Sequence, residues 1–234
     1  MALYVGTSGF SYAAWKGSFY PEHLAGQKML AFYGTSFNGV EINNTFHRMP
    51  KPSLLEGWRG EVPEAFRFAL KAPQSITHVR RLREVDDAVS YFFDVAGVLG
   101  ERLGAVLFQI PPSLKKDVPL LHDFLSLVPP GRRVALQFRN RSWFDDEVFS
   151  LMQRNDAALC LVDSEEDEAM PAVATAAWGY LRLRRQEYGA AELGKWVDLV
   201  NRQGWRDAFV FFKHEDAAKG PLFARQFLDI VAGG

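Results

Sequence analysis

Eight short apolar segments recur along the chain, and the stretches between them are long enough to hold helices. The segments are Leu3–Gly6, Gly39–Ile42, Arg67–Lys71, Ala105–Ile110, Val134–Phe138, Ala158–Val162, Gly179–Leu183 and Ala208–Phe212. Several are almost continuously apolar, which is typical of strands covered on both faces in a parallel sheet. Successive segments begin 21 to 38 residues apart, so each interval has room for a crossover helix.

Helix signals fall within these intervals. The apolar face of Val85–Leu99 predicts a helix, with Asp86 or Asp87 as its N-cap. Ser142 is predicted to cap a later helix, and Pro221 to begin the last one. Because strand and helix alternate to the end, the pattern predicts an α/β fold, a parallel eight-stranded (β/α)₈ TIM barrel, whose usual size is about 250 residues.

The main alternative is an open, doubly wound sheet. Eight strands, and the lack of a Gly-x-Gly-x-x-Gly turn after the first of them, make that alternative less suitable. The sequence shows no internal repeat, low-complexity tract or polar linker. We therefore predict a single domain over residues 1–234.

Composition narrows the function classes. The 234 residues are 48% hydrophobic and 24% charged, with a formal net charge of -1, so disorder and a global positive field for nucleic acid or membranes are poor interpretations. The single cysteine, Cys160, cannot make an internal disulfide. Because the sequence shows neither a signal peptide nor a membrane-length apolar run, we expect a cytoplasmic protein without a membrane partner.

Every predicted strand ends in a polar group, whereas the opposite ends are mostly apolar or Gly/Pro turns. In (β/α)₈ barrels the carboxyl ends of the strands form the functional face. The candidate site residues at or just after these ends are Ser8, Glu41, Asn43, Thr45, His47, Lys71, Gln109, Arg139, Asp163, Arg182, Arg184 and Lys213.

Glu41, Lys71 and Asp163 are the predicted catalytic residues. Neighbouring strands lie about 4.7–4.9 Å apart, so a direct Glu41–Lys71 pair is expected. Glu41 would act as general acid or base, and Lys71 as a second proton donor or as an imine-forming nucleophile. The alternative is a structural ion pair at the barrel mouth.

The other candidates are predicted to bind substrate. Arg139, Arg182, Arg184 and Lys213 favour an anionic ligand, because guanidinium groups match phosphate and carboxylate oxygens. They could instead neutralise nearby carboxylates. His47, His78 and His214 follow strand ends, but no compact ligand spacing supports a metal, so neither a metal nor a cofactor is predicted. Aromatic residues after the first strand could stack on a sugar or a base, or pack over the barrel.

Several segments, in a preserved order, together resemble the YecE-like family, also called domain of unknown function 72. They are Gly6–Tyr12, Trp15–Gly17, Phe19–Pro21, Val40–Asn43, Thr45-Phe46, Ile76–His78, Leu107–Pro112, Phe138-Arg139, Ser142–Phe144, Asp163, and Tyr180 with Arg182. The resemblance spans residues 4 to about 225 and implies a TIM barrel without an established reaction. It places the family's polar motif positions on Glu41, Asn43, Thr45, Lys71, Gln109, Arg139, Asp163 and Arg182.

The chain departs from the family pattern at three strand ends. Gln137 stands where the family usually has Glu, and Arg184-Arg185 where it usually has His-Gly. Lys213-His214-Glu215 replaces an asparagine-rich segment. These changes remove a carboxylate and an imidazole and add positive groups, which indicates either a more anionic ligand or the loss of a family activity.

The sequence is compatible with three functions. The first is an enzyme, such as a hydrolase, lyase or isomerase, that acts on a phosphorylated or otherwise anionic, sugar-like small molecule. The second is a protein that binds nucleic acid or cleaves phosphodiesters, which the near-zero net charge makes less favourable. The third is a non-catalytic ligand-binding module. The sequence does not indicate an oligomeric state.

Overall fold

The computed structural model describes residues 1–165, 170–213 and 218–233. Eight parallel strands close into a barrel in chain order, and β8 pairs with β1. The strands are β1 Ala2–Ser8, β2 Gly39–Ile42, β3 Arg67–Lys71, β4 Leu103–Ile110, β5 Val134–Phe138, β6 Ala158–Asp163, β7 Trp178–Leu183 and β8 Asp207–Phe212. All eight predicted segments lie within these strands, so the predicted TIM barrel is confirmed.

In the described residues the barrel is surrounded by seven α-helices. They are α1 Met29–Tyr33, α2 Pro52–Glu61, α3 Asp86–Gly97, α4 Val118–Ser126, α5 Asp146–Arg154, α6 Ala190–Arg202 and α7 Lys219–Gly233. None of these helices is long and apolar enough to span a membrane.

The sixth strand–helix unit differs from the prediction. Within residues 164–165 and 170–177, no α-helix joins β6 to β7. The backbone is instead pinned to β6 by Thr175, whose Oγ1 accepts from the Leu159 N–H at 2.7 Å and donates to the Ala157 carbonyl at 2.8 Å. This interval is the shortest of the seven, and in its described part a buried hydroxyl anchors the chain to β6.

Two predicted helix caps are also wrong. Val85 occupies the N-cap position of α3, and Asp86 and Asp87 lie in its first turn. The helix α5 is capped by Asp145, whose carboxylate accepts from the Glu147 N–H at 3.0 Å. Ser142 lies in a preceding 3₁₀ turn, where its hydroxyl accepts from the Lys116 N–H at 2.8 Å instead. The last helix begins at Lys219, two residues before the predicted Pro221.

The interior of the barrel is filled by side chains of opposite size. Small alanines from β3 to β6 face large aromatic residues from β7 and β8. The buried interior cluster consists of Ala69, Ala105, Leu107, Ala135, Ala158, Cys160, Trp178, Tyr180, Phe209 and Phe211. Because this apolar plug closes the barrel centre, polar inward-facing residues collect in a layer above it, at the carboxyl ends of the strands.

A close contact between β1 and β2 sets the start of that polar layer. A side chain at Gly6 would place its Cβ 1.9 Å from the Gly39 carbonyl and 2.4 Å from the Tyr33 hydroxyl. The Tyr33 hydroxyl accepts from the Thr7 N–H at 2.7 Å and donates to the Gly39 carbonyl at 3.0 Å. The resulting register brings Ser8 opposite Glu41.

Candidate functional site

A cavity of about 510 Å³ opens at the carboxyl ends of the strands. Five of its lining side chains are lysines or arginines, and none of the described lining residues carries a carboxylate. We call this cavity the mouth. It is lined by Ser8, Tyr12, Asn43, Asn44, Phe46, His47, Lys71, Gln109, Arg139, Arg182, Arg184 and Lys213.

Glu41 lies beneath the mouth and is completely buried. Its Oε1 accepts from the Ser8 hydroxyl at 2.7 Å, from the Asn43 amide at 3.2 Å, and from Arg182 Nη2 and Nε at 2.9 and 3.2 Å. Its Oε2 accepts from the Tyr180 hydroxyl at 2.7 Å. The carboxylate is therefore surrounded by donors that connect β1, β2 and β7.

This network keeps Glu41 ionised. Burial by itself would raise the pKa of the carboxyl group, but the Arg182 charge and the hydrogen bonds from Tyr180, Ser8 and Arg182 outweigh burial and lower the pKa. The same carboxylate raises the pKa of Arg182 against the opposing effect of burial. The geometry thus favours a permanent buried ion pair with a positioning role for Glu41.

The predicted Glu41–Lys71 pair does not form. In the β2–β3 register Glu41 lies opposite Ala69, and Lys71 is two residues further toward the rim, about 6.6 Å along a strand. The Lys71 ammonium lies over the Phe46 ring instead, 4.0 Å from its centroid. Two side chains on neighbouring strands form an ion pair only if they also lie at the same height along the barrel axis. Strand adjacency alone therefore did not predict this pair correctly.

Lys71 has an unusual acid–base setting. Burial lowers its pKa, the charges of Arg182, Arg184 and Lys213 lower it further, and Glu41 opposes them, so that the pKa is about 8. A larger fraction of Lys71 is therefore neutral amine near neutral pH than for an ordinary lysine, which suits proton transfer or nucleophilic attack.

Two predicted site residues point away from the mouth. The Asp163 carboxylate accepts from Arg185 Nε at 2.6 Å and from the Trp196 indole N–H at 3.0 Å, so it ties β6 to α6. The Thr45 hydroxyl contacts the Ile42 and Lys71 carbonyls at 3.1 and 2.6 Å. Neither lines the cavity, and both act on the backbone or helices around it.

Two residues of the hydrogen-bond network around Glu41 and Arg182 are not among the predicted site residues. Gln137 Oε1 accepts from Arg182 Nη1 at 2.7 Å and from the Gln109 amide at 3.1 Å. Tyr180 donates to Glu41, as described above. Tyr180 precedes Arg182 by two positions on β7, and Gln137 precedes Arg139, which directly follows β5, by two positions. Strand periodicity points such residues to the same face. That periodicity would have identified them.

The remaining predicted residues are placed at the mouth or outside the described chain. His47 lies at the rim, and His78, in a π-helical turn over Ser75–Val79, has a lowered pKa because of burial and the Lys71 and Arg139 charges. His214 lies outside the described residues. Among the described residues, no group of three His, Cys, Asp or Glu side chains could hold a metal ion.

A second cavity of about 330 Å³ adjoins the mouth and shares Tyr12, Asn43 and Asn44 with it. Its walls include Trp58 and Glu61. The mouth therefore continues laterally into a less cationic space. A ligand longer than a simple anion would have room there.

The fold and this arrangement define the class of protein: a parallel (β/α)₈ barrel with a cationic cavity at the carboxyl ends of its strands. Residues 4–233 match the family model described as "Protein of unknown function DUF72". The chain belongs to this family.

Individual relatives agree with that assignment. The chain is 26% identical to the UPF0759 protein YunF of Bacillus subtilis, over 98% of this chain and 94% of YunF. It is 30% identical to the UPF0759 protein YecE of Escherichia coli over 143 residues, which are 61% of this chain and only half the length of YecE. A crystal structure of a DUF72 family protein from Thermotoga maritima superposes with a TM-score of 0.87 and 26% identity, covering 99% of this chain and all of that one.

Proposed function

We propose that the mouth binds a phosphorylated, sugar-like small molecule and that the protein is an enzyme acting on it through proton transfer by Lys71. The observation that carries this proposal is the composition of the cavity wall. Five cationic side chains and three amides face one cavity with no carboxylate among its described lining residues. Such a wall complements an anion that also carries hydroxyl groups.

The cationic residues have two kinds of role. Arg182 is held rigidly by Glu41 and Gln137, so its position changes little when a ligand enters. Arg139 is exposed at the rim and would close on the anion from outside. Arg184 and Lys213 add charge on the β7 and β8 side. Preorganised donors of this kind stabilise negative charge without the cost of rearrangement.

Of the two predicted acid–base residues, Lys71 transfers the proton and Glu41 positions Arg182. Lys71 lines the cavity and has a pKa of about 8, so it can take or give a proton near neutral pH. Glu41 is buried beneath the cavity and saturated with donors, so its part is to hold Arg182. Asn43 and Gln109 would orient substrate hydroxyls.

Anion binding is tested by calorimetry and thermal shift with inorganic phosphate, glucose 6-phosphate and glucose. We expect both phosphates to bind and glucose not to. Arg139→Ala should weaken phosphate binding at least tenfold, whereas Arg132→Ala at the opposite end of the barrel should leave it unchanged. Equal effects of the two variants, or equal binding of glucose and its phosphate, would refute the proposal. Phosphate binding without turnover of any phosphorylated substrate would indicate the non-catalytic module.

Nucleic acid is the second candidate, and the connection between β3 and α3 favours it. Arg80 and Arg81 are exposed there beside His78, and positive φ angles of 50° at Arg81, 65° at Leu82 and 51° at Glu84 hold the loop in an unusual shape. A polyanion would contact these arginines as well as the mouth. Salt-dependent binding of a short oligonucleotide that Arg81→Ala weakens would support this candidate, and its absence would leave the small molecule.

A further inference from the structure

We propose that Lys71 forms a covalent imine with the carbonyl carbon of a phosphorylated aldehyde or ketone bound in the mouth. The inference rests on the proposed function for its phosphate group, and goes beyond it by naming the reactive group and the bond. It makes the side chain a nucleophile as well as a proton carrier.

The position of Lys71 suits nucleophilic attack. It is the last residue of β3, and the Thr45 hydroxyl holds its carbonyl at 2.6 Å. Its Nζ lies 4.0 Å from the Phe46 ring centroid. That ring is itself packed edge-on against His47 and His78, at centroid distances of 5.1 and 4.9 Å. The Lys71 side chain is therefore held at the cavity wall, beside an aromatic face.

Burial and the surrounding positive charges lower the pKa of Lys71 and so increase the fraction of neutral amine, which is the form that attacks a carbonyl group. Arg182, Arg184 and Lys213 all act on Lys71 with the same sign, in addition to burial. The opposite charge, Glu41, is directly engaged by Arg182 and forms no ion pair with Lys71. A lysine among cations is one of the recognised ways to activate an amine nucleophile.

The step balances without a further reagent. The Lys71 nitrogen lone pair forms a C–N bond to the carbonyl carbon, and the carbonyl π pair moves to oxygen. A proton passes from nitrogen to that oxygen to give a carbinolamine. The carbinolamine hydroxyl then takes a proton from solvent and leaves as water, while the nitrogen lone pair forms the C=N bond of the iminium ion. Gln109 lines the same cavity. One of its amide N–H groups donates to Gln137 Oε1, and the other would donate to the carbinolamine oxygen. Hydrolysis with one water reverses the reaction.

The phosphate group accounts for the remaining cations. Arg139 and Arg182 line the same cavity as Lys71, so a compound with a carbonyl group and a phosphate group can meet both at once. Binding of the phosphate would raise the local concentration of the carbonyl carbon at the amine. A carbonyl compound without phosphate should therefore react much more slowly.

The test is reductive trapping. The protein is incubated at pH 7.5 with dihydroxyacetone phosphate and sodium cyanoborohydride, and the modified lysine is located by peptide mass spectrometry. We expect Lys71 to be labelled at least tenfold faster than any other lysine. Dihydroxyacetone should label it at least tenfold more slowly than its phosphate. Lys71→Met and Lys71→Arg should both lose the rapid labelling, and the surface control Lys115→Met should keep it.

The outcomes separate this inference from the proposed function. Phosphate binding without preferential labelling of Lys71 would overturn the imine and leave the anion site intact. Preferential labelling that inorganic phosphate does not inhibit, with equal rates for the two ketones, would support the imine and refute the phosphate site. Rapid labelling that persists in a folded Lys71→Arg variant would overturn the imine, because another amine must then react.

Discussion

The two ends of the barrel both carry arginines, but their partners differ. At the amino end a cavity of about 230 Å³ is lined by Arg67, Arg132 and Arg133. Arg133 forms an ion pair with Asp207 and lies 5.9 Å from the Trp178 ring. Arg67 donates to backbone carbonyls at 2.8 and 3.0 Å. These guanidinium groups complete the structure of the barrel.

At the carboxyl end the described lining residues bring cations into a cavity without a carboxylate. The Glu41 carboxylate lies beneath the wall and forms an ion pair with Arg182. The number of arginines does not distinguish the two ends of the barrel. At the amino end Arg133 has its compensating acid, Asp207, beside it, whereas the acid that pairs with Arg182, Glu41, lies beneath the floor of the mouth. This difference in the position of the acid distinguishes the candidate ligand site.

The largest expected effect comes from breaking the buried ion pair. Glu41→Gln should destabilise the protein by about 3–5 kcal/mol, because it leaves Arg182 as a buried uncompensated charge. Urea denaturation at several pH values measures this. Since the pKa of Glu41 is lowered from 4.5, its contribution is fully present above about pH 4.5 and is lost as pH falls through the folded-state pKa. A difference that persists unchanged at lower pH would contradict this assignment.

A smaller loss is expected from the hydroxyl that completes the network. Tyr180→Phe removes the donor 2.7 Å from Glu41 Oε2, and hydrogen bonds to charged groups contribute about 1.5–3 kcal/mol. Urea denaturation should show a loss in that range. Tyr91→Phe, at an exposed tyrosine, is the matched control and should change nothing. Equal stability of Tyr180→Phe and the wild type would mean that this hydrogen bond contributes little.

Removing the Lys71 charge should stabilise the protein. Its pKa is lowered from 10.5 to about 8, so the unfolded chain binds more protons between these values and wild-type stability rises with pH across that window. Below about pH 8 the Lys71 charge destabilises the folded protein to its full extent. Lys71→Met should therefore gain about 1 kcal/mol at pH 7, a discounted figure because solvent screens a partly exposed amine. The gain should shrink toward pH 10, and thermal denaturation at both pH values checks it.

The smallest effect is expected at the amino end. The Arg133–Asp207 pair is partly exposed, with 37% and 18% of the two side chains accessible. Asp207→Asn should cost about 1 kcal/mol or less and should leave phosphate binding unchanged. If it cost as much as Glu41→Gln, or weakened phosphate binding, the distinction between the two ends of the barrel would not hold.

The two-residue period of the strands decides which strand-end residues face the barrel interior. Ala158, Cys160 and Val162 face the barrel interior or pack against it, so Asp163 must face outward, as it does toward Trp196. The same alternation carries Tyr180 and Arg182 inward together. The strand ends were predictable as a group. Their separation into inward and outward residues was also available in the sequence, through the period of two, once the inward set of each strand was known.

The sequence by itself determined the strands, the barrel and the collection of polar residues at one end, because apolar segments and their spacing are local properties. The tertiary structure decided which charges meet. The β2–β3 register places Glu41 beside Ala69, and closure of the barrel brings Arg182 from β7 to that carboxylate. Pairing across a closed barrel depends on the stagger of all the strands and on side-chain height, and no single segment contains that information.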